Sequence, residues 1–127
     1  MMLVPTYLWP SRIHGIACHA AALIPKGTIV WRYTEGVDKR IANLCKASKA
    51  IEDFVSKHGY RESGKEFIEV CGDNALFFNH SNTPNCQPNN NGESVAIRDI
   101  LHGEELTEDY RTFNTLPMPF LLRGKYQ

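Results

Sequence analysis

The sequence predicts a mainly β domain of small sheets with one inserted helix. Short runs of β-branched and aromatic residues recur between turns that contain Gly or Pro, and one longer segment places apolar residues at helical spacing. The chain has 127 residues, of which 43% are hydrophobic and 22% charged. This length and composition are typical of one globular domain, so residues 1–127 are assigned to a single domain.

Strand patterns occur at several places along the chain. Between Gly15 and Tyr33 we expect two short strands separated by a turn at Pro25–Gly27, and Thr28–Trp31 has the residue types that strands favour. Further strands are predicted at Glu66–Cys71, Ser94–Arg98 and Glu105–Thr107.

The inserted helix is predicted to run from about Asp38, a typical N-cap, to His58, with Gly59 as the stop. Apolar residues follow a helical stripe between these ends, at Ile41, Leu44, Cys45, Ile51, Phe54 and Val55. The C-terminal tail, 111–127, contains Pro117, Pro119 and Gly124 and is predicted to be irregular.

The charges of the chain cancel overall but are unevenly distributed. Residues 1–65 hold ten Lys/Arg and five Asp/Glu, whereas residues 66–127 hold four and nine. An acidic face for a basic ligand and attraction between the two halves explain this equally well. Zero net charge disfavours direct nucleic-acid binding. Because the chain has neither a signal peptide nor a long apolar run, we expect no membrane association and an intracellular location.

The four cysteines predict reduced thiols and no metal site. Cys18, Cys45, Cys71 and Cys86 form no CxxC pair. His14 and His19 lie close to Cys18 in sequence, but a structural zinc site needs four ligands at tight spacing and no second cluster completes this one.

Two segments concentrate polar residues that suit a binding site. In FFNHSNTPNC (77–86), the side chains of Asn79, Ser81, Asn82 and Asn85 can fix a loop against its own backbone; an ordinary Asn-rich turn is the alternative. In RDILHGEELTEDY (98–110), a strand leads to Tyr110, whose hydroxyl either enters a cleft or faces water at a sheet edge.

Together these segments resemble the SET-domain family of protein-lysine methyltransferases. FFNHSNTPNC is similar to the family motif NHSxxPN, and RDILHGEELTEDY to GEELxxDY. Upstream, Ile13–Ala17 and Ile24–Val30 resemble the opening GxG and IxKGxxV. The core motifs occur in family order and span residues 13–110, most of the chain.

The resemblance implies a SET-domain (β-clip) fold of small sheets with a pseudoknot near the C-terminus, an exception to unthreaded topology. It implies S-adenosyl-L-methionine as cofactor and a lysine channel entered from the opposite face, with Tyr110 as the catalytic residue where the two meet. The residues implied to bind the cofactor are His14, Gly15, Asn79, His80 and Phe113. Those implied to bind the substrate are Tyr33, Phe78 and Glu108.

The implied reaction is methyl transfer to a lysine side chain of a protein substrate, a histone or another basic protein with an accessible lysine, in the nucleus if the substrate is chromatin. In-line displacement requires nucleophile, methyl and sulfur to be collinear, which entry from opposite faces provides. The lysine must be neutral, and deprotonating a free lysine near pH 7.4 costs roughly 4 kcal/mol. An apolar channel lowers the lysine pKa by desolvation.

The chain departs from the family pattern at several positions. Ile13 replaces the first Gly of GxG, Leu76 occupies a position that is often basic, and Glu108 occupies one that is often Tyr or Phe. No cysteine follows Cys86, so Phe113 or the Pro117–Tyr126 tail is expected to close the adenine and lysine sites. Ile13 and Glu108 also favour an alternative function, a SET-like module that binds a basic peptide without turnover. The sequence makes no prediction of the oligomeric state.

Overall fold

The computed structural model describes residues 1–42 and 47–116. The elements are short, as the turn-rich sequence predicts. The described strands are β1 (Thr6–Pro10), β2 (Ile16–Ala20), β3 (Ile29–Trp31), β4 (Lys39–Ile41), β5 (Ile68–Val70), β6 (Asn79–His80), β7 (Cys86–Pro88), β8 (Ser94–Ala96) and β9 (Thr107–Glu108). The helix is α1 (Lys49–His58), and 3₁₀ turns lie at Asn74–Phe77 and Tyr110–Thr112.

The strands form four small sheets. β1 pairs with β2, β4 pairs with β5, and β8 lies between β3 and β7, all antiparallel. β6 pairs with β9 in parallel, with Asn79 opposite Thr107 and His80 opposite Glu108. This mainly β architecture with one described helix confirms the predicted fold class.

The main core lies where β2, β3 and β8 meet the segment before β9. Cys18, Val30, Ile100 and Leu106 are completely buried there. β2 is buried along Ala17–Ala20 because it is flanked by β1 and by residues 104–106, whose backbone bonds to Cys18 and Ala20. A smaller cluster packs one helix residue against β5, at Val55, Ile68 and Val70.

The predicted start of the helix is wrong, whereas its end is confirmed. α1 begins at Lys49 behind the N-cap Ser48, and Gly59 closes it by donating its backbone N–H to the Val55 carbonyl at 2.7 Å. The segment after Asp38 is instead strand β4. Leu44 and Cys45 of the predicted stripe, like the Pro117–Tyr126 tail, fall outside the described residues.

Asp38 does not cap the helix because other groups bind its carboxylate in the interior. It is 2% exposed and accepts hydrogen bonds from the backbone N–H groups of Thr34 at 2.9 Å and Gly72 at 3.0 Å. The terminal ammonium of Met1 lies 2.7 Å from the same carboxylate. A buried carboxylate needs such partners, so tertiary contacts override the local capping preference.

Four of the predicted strands are confirmed as β2, β3, β5 and β8. The prediction for Glu105–Thr107 is displaced by about one residue, since β9 is Thr107–Glu108 and Glu105 forms a single bridge with His19. β1, β4, β6 and β7 were not predicted. Among the described residues, no helix has the length and apolarity needed to cross a membrane.

The segment from β9 onward contacts two earlier parts of the chain, as the expected pseudoknot near the C-terminus requires. β9 pairs with β6 on one side. On the other side, Asn114 accepts a hydrogen bond from the backbone N–H of Arg61 at 3.1 Å, and Thr115 donates its N–H to the Arg61 carbonyl at 2.8 Å.

We expect Gly72→Ala to destabilise the domain by about 3 kcal/mol or more. A Cβ at residue 72 would lie 1.7 Å from the backbone oxygen of Val37, so the backbone itself must move. That movement would also disturb the hydrogen bond from Gly72 to Asp38. Urea unfolding followed by circular dichroism measures the change.

The matched control is Gly64→Ala. Gly64 has a φ of 78°, and a Cβ added there would meet no atom within 4 Å, so only the left-handed conformation penalises alanine, by about 1 kcal/mol. Equal losses of stability in the two variants would contradict the close approach of residues 37 and 72.

Candidate active site

The parallel pairing of β6 with β9 places the two polar motifs side by side. Asn85, which is 2% exposed, ties them together. Its Nδ2 donates to the Glu105 carbonyl at 2.8 Å, and its Oδ1 accepts from the backbone N–H of Thr107 at 2.9 Å. The last Asn of the first motif therefore holds the strand that leads into the second.

Tyr110 is fixed by the first motif at both ends. Its hydroxyl donates to the Phe78 carbonyl, and its backbone N–H donates to Nδ1 of His80 at 3.1 Å. Because Nδ1 of His80 accepts, Nε2 carries the proton and donates to Asn82 Oδ1 at 3.1 Å. Burial raises the pKa of Tyr110, so the hydroxyl stays protonated at neutral pH and can donate hydrogen bonds.

Tyr110 lines an open cleft with aromatic walls. The empty space of this cleft, which reaches out to solvent, is about 830 Å³. Its aromatic lining residues are Trp31, Tyr60, Phe78, Tyr110 and Phe113. The Phe113 ring packs edge-on against Tyr60 at 5.3 Å and against Tyr110 at 5.9 Å between centroids. Walls of this kind exclude water from a long, slender side chain.

Glu108 places a carboxylate among these aromatic residues. It lines the cleft and accepts a hydrogen bond from the Ser94 hydroxyl. Burial raises the pKa of Glu108 to about 7, although the Ser94 hydrogen bond lowers it, and the charge of Glu62 raises it further. The carboxyl of Glu108 is therefore poised to exchange a proton near neutral pH.

A second group of residues lies around the side chain of Asn79. The Asn79 Nδ2 group donates to the His14 carbonyl at 3.0 Å, to Ser11 Oγ at 3.0 Å and to Glu105 Oε1 at 2.7 Å. Ser11 Oγ in turn accepts from the backbone N–H groups of Ile13 at 2.8 Å and His14 at 3.0 Å. These bonds hold the 11–15 turn against β6.

The 11–15 turn forms without a glycine at position 13. No described residue other than glycine has a positive φ, so Ile13 adopts an ordinary backbone conformation. Gly15 does have a positive φ, 55°, and there is open space beside its α-carbon. The turn thus offers an accessible backbone surface next to Asn79, which suits the close approach of a ligand.

Most of the predicted site residues come together in these two groups. Phe78, Glu108, Tyr110 and Phe113 line the cleft. His14, Gly15 and Asn79 form the turn side, and His80 lies buried behind Tyr110. Phe113 was expected beside the cofactor, and its ring lies between those of Tyr60 and Tyr110.

Tyr33 is the predicted residue that lies apart from both groups. Its ring lies 3.8 Å from the guanidinium carbon of Arg40, and its hydroxyl lies 3.4 Å from a carboxylate oxygen of Glu35. It is not among the residues that line the cleft. Trp31 and Tyr33 are both aromatic residues near the end of the same predicted strand. Nothing in the sequence distinguishes which of them lines the cleft.

Trp31, Tyr60 and Ser94 are among the cleft residues that the sequence did not predict. Trp31 is 5% exposed, and its indole N–H has no hydrogen-bond partner among the described residues. Tyr60 donates its hydroxyl to Glu69 across an isolated bridge between those two residues. None of the three belongs to a motif, although Tyr60 directly follows the predicted helix stop at Gly59.

The candidate metal ligands do not converge. Over residues 1–42 and 47–116, no three His, Cys, Asp or Glu side chains are grouped so that they could hold a metal ion. Cys18 lies in the core, where burial raises its pKa to about 12, and His19 stacks on Tyr7 at 5.4 Å. Burial also raises the pKa values of Cys71 and Cys86, so these three cysteines remain thiols at neutral pH.

Known proteins are similar in sequence to this chain. Histone-lysine N-methyltransferase, H3 lysine-4 specific, of Schizosaccharomyces pombe is 32% identical over 112 residues, which cover 80% of this chain and 12% of that protein. The protein of the same description from Chaetomium globosum is 32% identical over 111 residues, 80% of this chain and 10% of that one. The chain therefore spans about a tenth of the length of these relatives.

Solved structures of Polycomb Repressive Complex 2 have the same fold. One is a humanized mutant of the Chaetomium thermophilum complex bound to the inhibitor GSK343, with a TM-score of 0.68, 24% identity and coverage of 94% of this chain and 16% of that one. Another is ctPRC2 in an autoinhibited conformation bound to S-adenosylmethionine, with a TM-score of 0.65, 22% identity and the same coverage. At these identities the likeness concerns the fold alone.

The family model of the SET domain matches residues 15–111, which include the 79–85 motif, Glu108 and Tyr110. This match covers most of the chain and agrees with the fold, with the paired motifs and with the relatives described above. The chain belongs to the SET domain family.

Proposed function

We propose that this chain is a protein-lysine N-methyltransferase that uses S-adenosyl-L-methionine. The observation that carries the proposal is the placement of Tyr110, whose hydroxyl binds the Phe78 carbonyl and whose ring lines the aromatic cleft. The next residue along from Phe78, Asn79, binds the 11–15 turn. A reacting centre at Tyr110 is thus close to both groups of the site.

The turn side fits the cofactor. His14 and Gly15 would present backbone to it, with Asn79 holding the turn, His80 contributing backbone and Phe113 closing the site. The open space beside Gly15 and the pinned His14 carbonyl support this assignment. When bound, S-adenosylmethionine supplies the methyl group on a positively charged sulfur.

The cleft fits a lysine side chain. Phe78, Trp31 and Phe113 surround its stem with apolar surface, which lowers the lysine pKa by desolvation. The Tyr110 hydroxyl and the Glu108 carboxyl orient the amine at the inner end. Tyr33 lies outside the cleft and would contact the substrate only beyond the lysine itself.

The substrate we propose is a histone, as the names of the relatives suggest, or another basic protein. Glu62 and Glu108 line the cleft together with the cation Lys57, and the two carboxyl groups suit a lysine in a basic tail. A histone substrate places the protein in the nucleus, and any other basic protein leaves it elsewhere inside the cell. The relatives are far longer than this chain, so the substrate assignment rests on the cleft and on these names.

A catalytically inactive module that binds a basic peptide is the second candidate function. Glu108 favours it, because a carboxylate in the cleft can hold a lysine ammonium in its charged, unreactive form. Ile13 gives it no support, since the turn forms with ordinary backbone at that residue.

We expect the protein to bind S-adenosylmethionine with a micromolar dissociation constant, about −8 kcal/mol. Asn79→Ala should weaken binding by about tenfold, because the His14 carbonyl loses the amide that holds it. Isothermal titration calorimetry measures both constants. The control is Asn91→Ala, at an exposed turn position that does not line the cleft. Equal affinities for the two variants would remove Asn79 from the cofactor site.

We expect Tyr110→Phe to slow methyl transfer by about 10²–10³-fold with the fold intact, because the ring is kept and one preorganised polar contact is lost. The assay is single-turnover transfer of radiolabelled methyl to histone H3, and to an extract of basic proteins, at saturating cofactor. Tyr7→Phe, on β1 and outside the cleft lining, is the matched control. Transfer by Tyr110→Phe within about threefold of the parent would contradict the site.

We expect the main product to be monomethyl-lysine. A carboxyl at residue 108 prefers an amine that still carries N–H donors, and each added methyl removes one. Glu108→Phe should shift products towards dimethyl- and trimethyl-lysine while cofactor binding is retained. Mass spectrometry of histone H3 at equal turnover measures the ratio. Trimethyl-lysine as the main product of the parent protein would contradict this role.

A further inference from the structure

Glu108 differs from the other acidic side chains of the domain in its surroundings. It lies on β9, where its carboxyl accepts a hydrogen bond from Ser94 on β8 and lines the cleft beside Tyr110 and Phe78. It takes part in no salt bridge among the described residues. A carboxylate in such a place is either a structural hydrogen-bond acceptor or a group that awaits a cation or a proton.

We propose that Glu108 is the general base of the reaction, and that it accepts the proton of the lysine ammonium inside the cleft before the methyl group is transferred. This inference rests on the proposed methyltransferase function. The geometry supports it because Glu108 and Tyr110, two residues apart, line the same cleft, which gives an amine beside Tyr110 access to the carboxyl.

The energetics of the cleft favour the neutral pair over the ion pair. Burial raises the pKa of Glu108 to about 7, and the same surroundings lower the pKa of a lysine that enters them. The two values converge, so moving the proton from nitrogen to oxygen removes two desolvated charges at little cost. In water the same transfer is uphill by several pKa units.

The atoms and charges balance along this route. The ammonium gives one proton to the Glu108 carboxylate, which leaves a neutral amine and a carboxylic acid. The nitrogen lone pair then forms the N–C bond while the methyl–sulfur bond breaks and leaves its electron pair on sulfur. The product is a methylammonium, and Glu108 releases its proton to water at the open mouth of the cleft.

The other titratable groups around Glu108 are poorer bases. Burial raises the pKa values of Tyr60, Cys71, Cys86 and Tyr110, and the charge of Glu108 contributes to each, so these groups stay protonated at neutral pH. Three further titratable residues line the same cleft. Lys57 and His58 lie in the last turn of α1, and Glu62 follows that helix.

His58 is the competing base. Burial lowers its pKa, so its ring is neutral at pH 7.4. His58 lines the cleft, and its ring also packs against the half-exposed ring of Phe54 at 4.9 Å between centroids. A His58→Gln variant therefore serves as a control.

The test is the pH dependence of single-turnover methyl transfer to histone H3 at saturating S-adenosylmethionine. The parent rate should rise with pH and level off above about 7, where Glu108 is ionised. Glu108→Gln keeps the size of the side chain, and should be about 10²-fold slower at pH 7.4 and then gain about tenfold per pH unit up to pH 9.5, as lysine deprotonates in water.

Two neighbouring variants should move the inflection in opposite directions. The Ser94 hydrogen bond lowers the pKa of Glu108, so Ser94→Ala should shift the inflection to higher pH. The charge of Glu62 raises that pKa, so Glu62→Gln should shift it to lower pH. His58→Gln should leave the inflection in place. A structural role for Glu108 predicts none of these shifts.

A second measurement is independent of turnover. Carbon-13 NMR of the cofactor-free protein should show one carboxyl that titrates near pH 7 and is missing from Glu108→Gln. If that carboxyl titrates below about pH 5, or if Glu108→Gln transfers methyl at the parent rate with the same pH profile, the inference is wrong. If the parent protein transfers no methyl at any pH, the proposed function fails instead.

Discussion

The pairing of β6 with β9 is the constraint on which the site depends. Each of the two strands is two residues long, and they lie more than twenty residues apart in the sequence, so their own hydrogen bonds contribute little. Buried Asn85 completes the junction by bonding the backbone on both sides of Leu106. Because a buried amide left without partners is costly, only the register that satisfies Asn85 is stable, and that register sets the position of Tyr110.

β6 also divides the site in two. Successive side chains of an extended strand point to opposite sides, so Asn79 reaches the 11–15 turn while His80 packs behind Tyr110. The polar turn and the aromatic cleft are thereby kept on separate sides of one short segment. A polar surface and an aromatic surface therefore lie on opposite sides of the same two residues.

The sequence predicted those parts of the structure that depend on local pattern. β2, β3, β5 and β8 follow from their residue types, and the motifs located Asn79 and Tyr110 without any knowledge of the fold. The failures have tertiary causes. Asp38 resembles a helix cap locally, but its partners at Thr34 and Gly72 appear only after folding.

The cleft was the least predictable part of the site for the same reason. Trp31, Tyr60 and Ser94 come from three separate segments and converge only when the sheets are assembled. None of the three residues belongs to a recognisable motif. In the sequence, Tyr33 is as plausible a cleft residue as Trp31. The surroundings of Glu108, and hence its proton affinity, also depend on this assembly.

The contacts of the segment from β9 onward have a consequence for the order in which the chain folds. Residues 107–115 bind both β6 and the backbone at Arg61, so their binding place exists only after the preceding hundred residues have been made and arranged. Such non-local contacts form slowly, since loop closure must precede them. Tyr110 can therefore take its place only after these distant segments have come together, so the cleft that it lines assembles late.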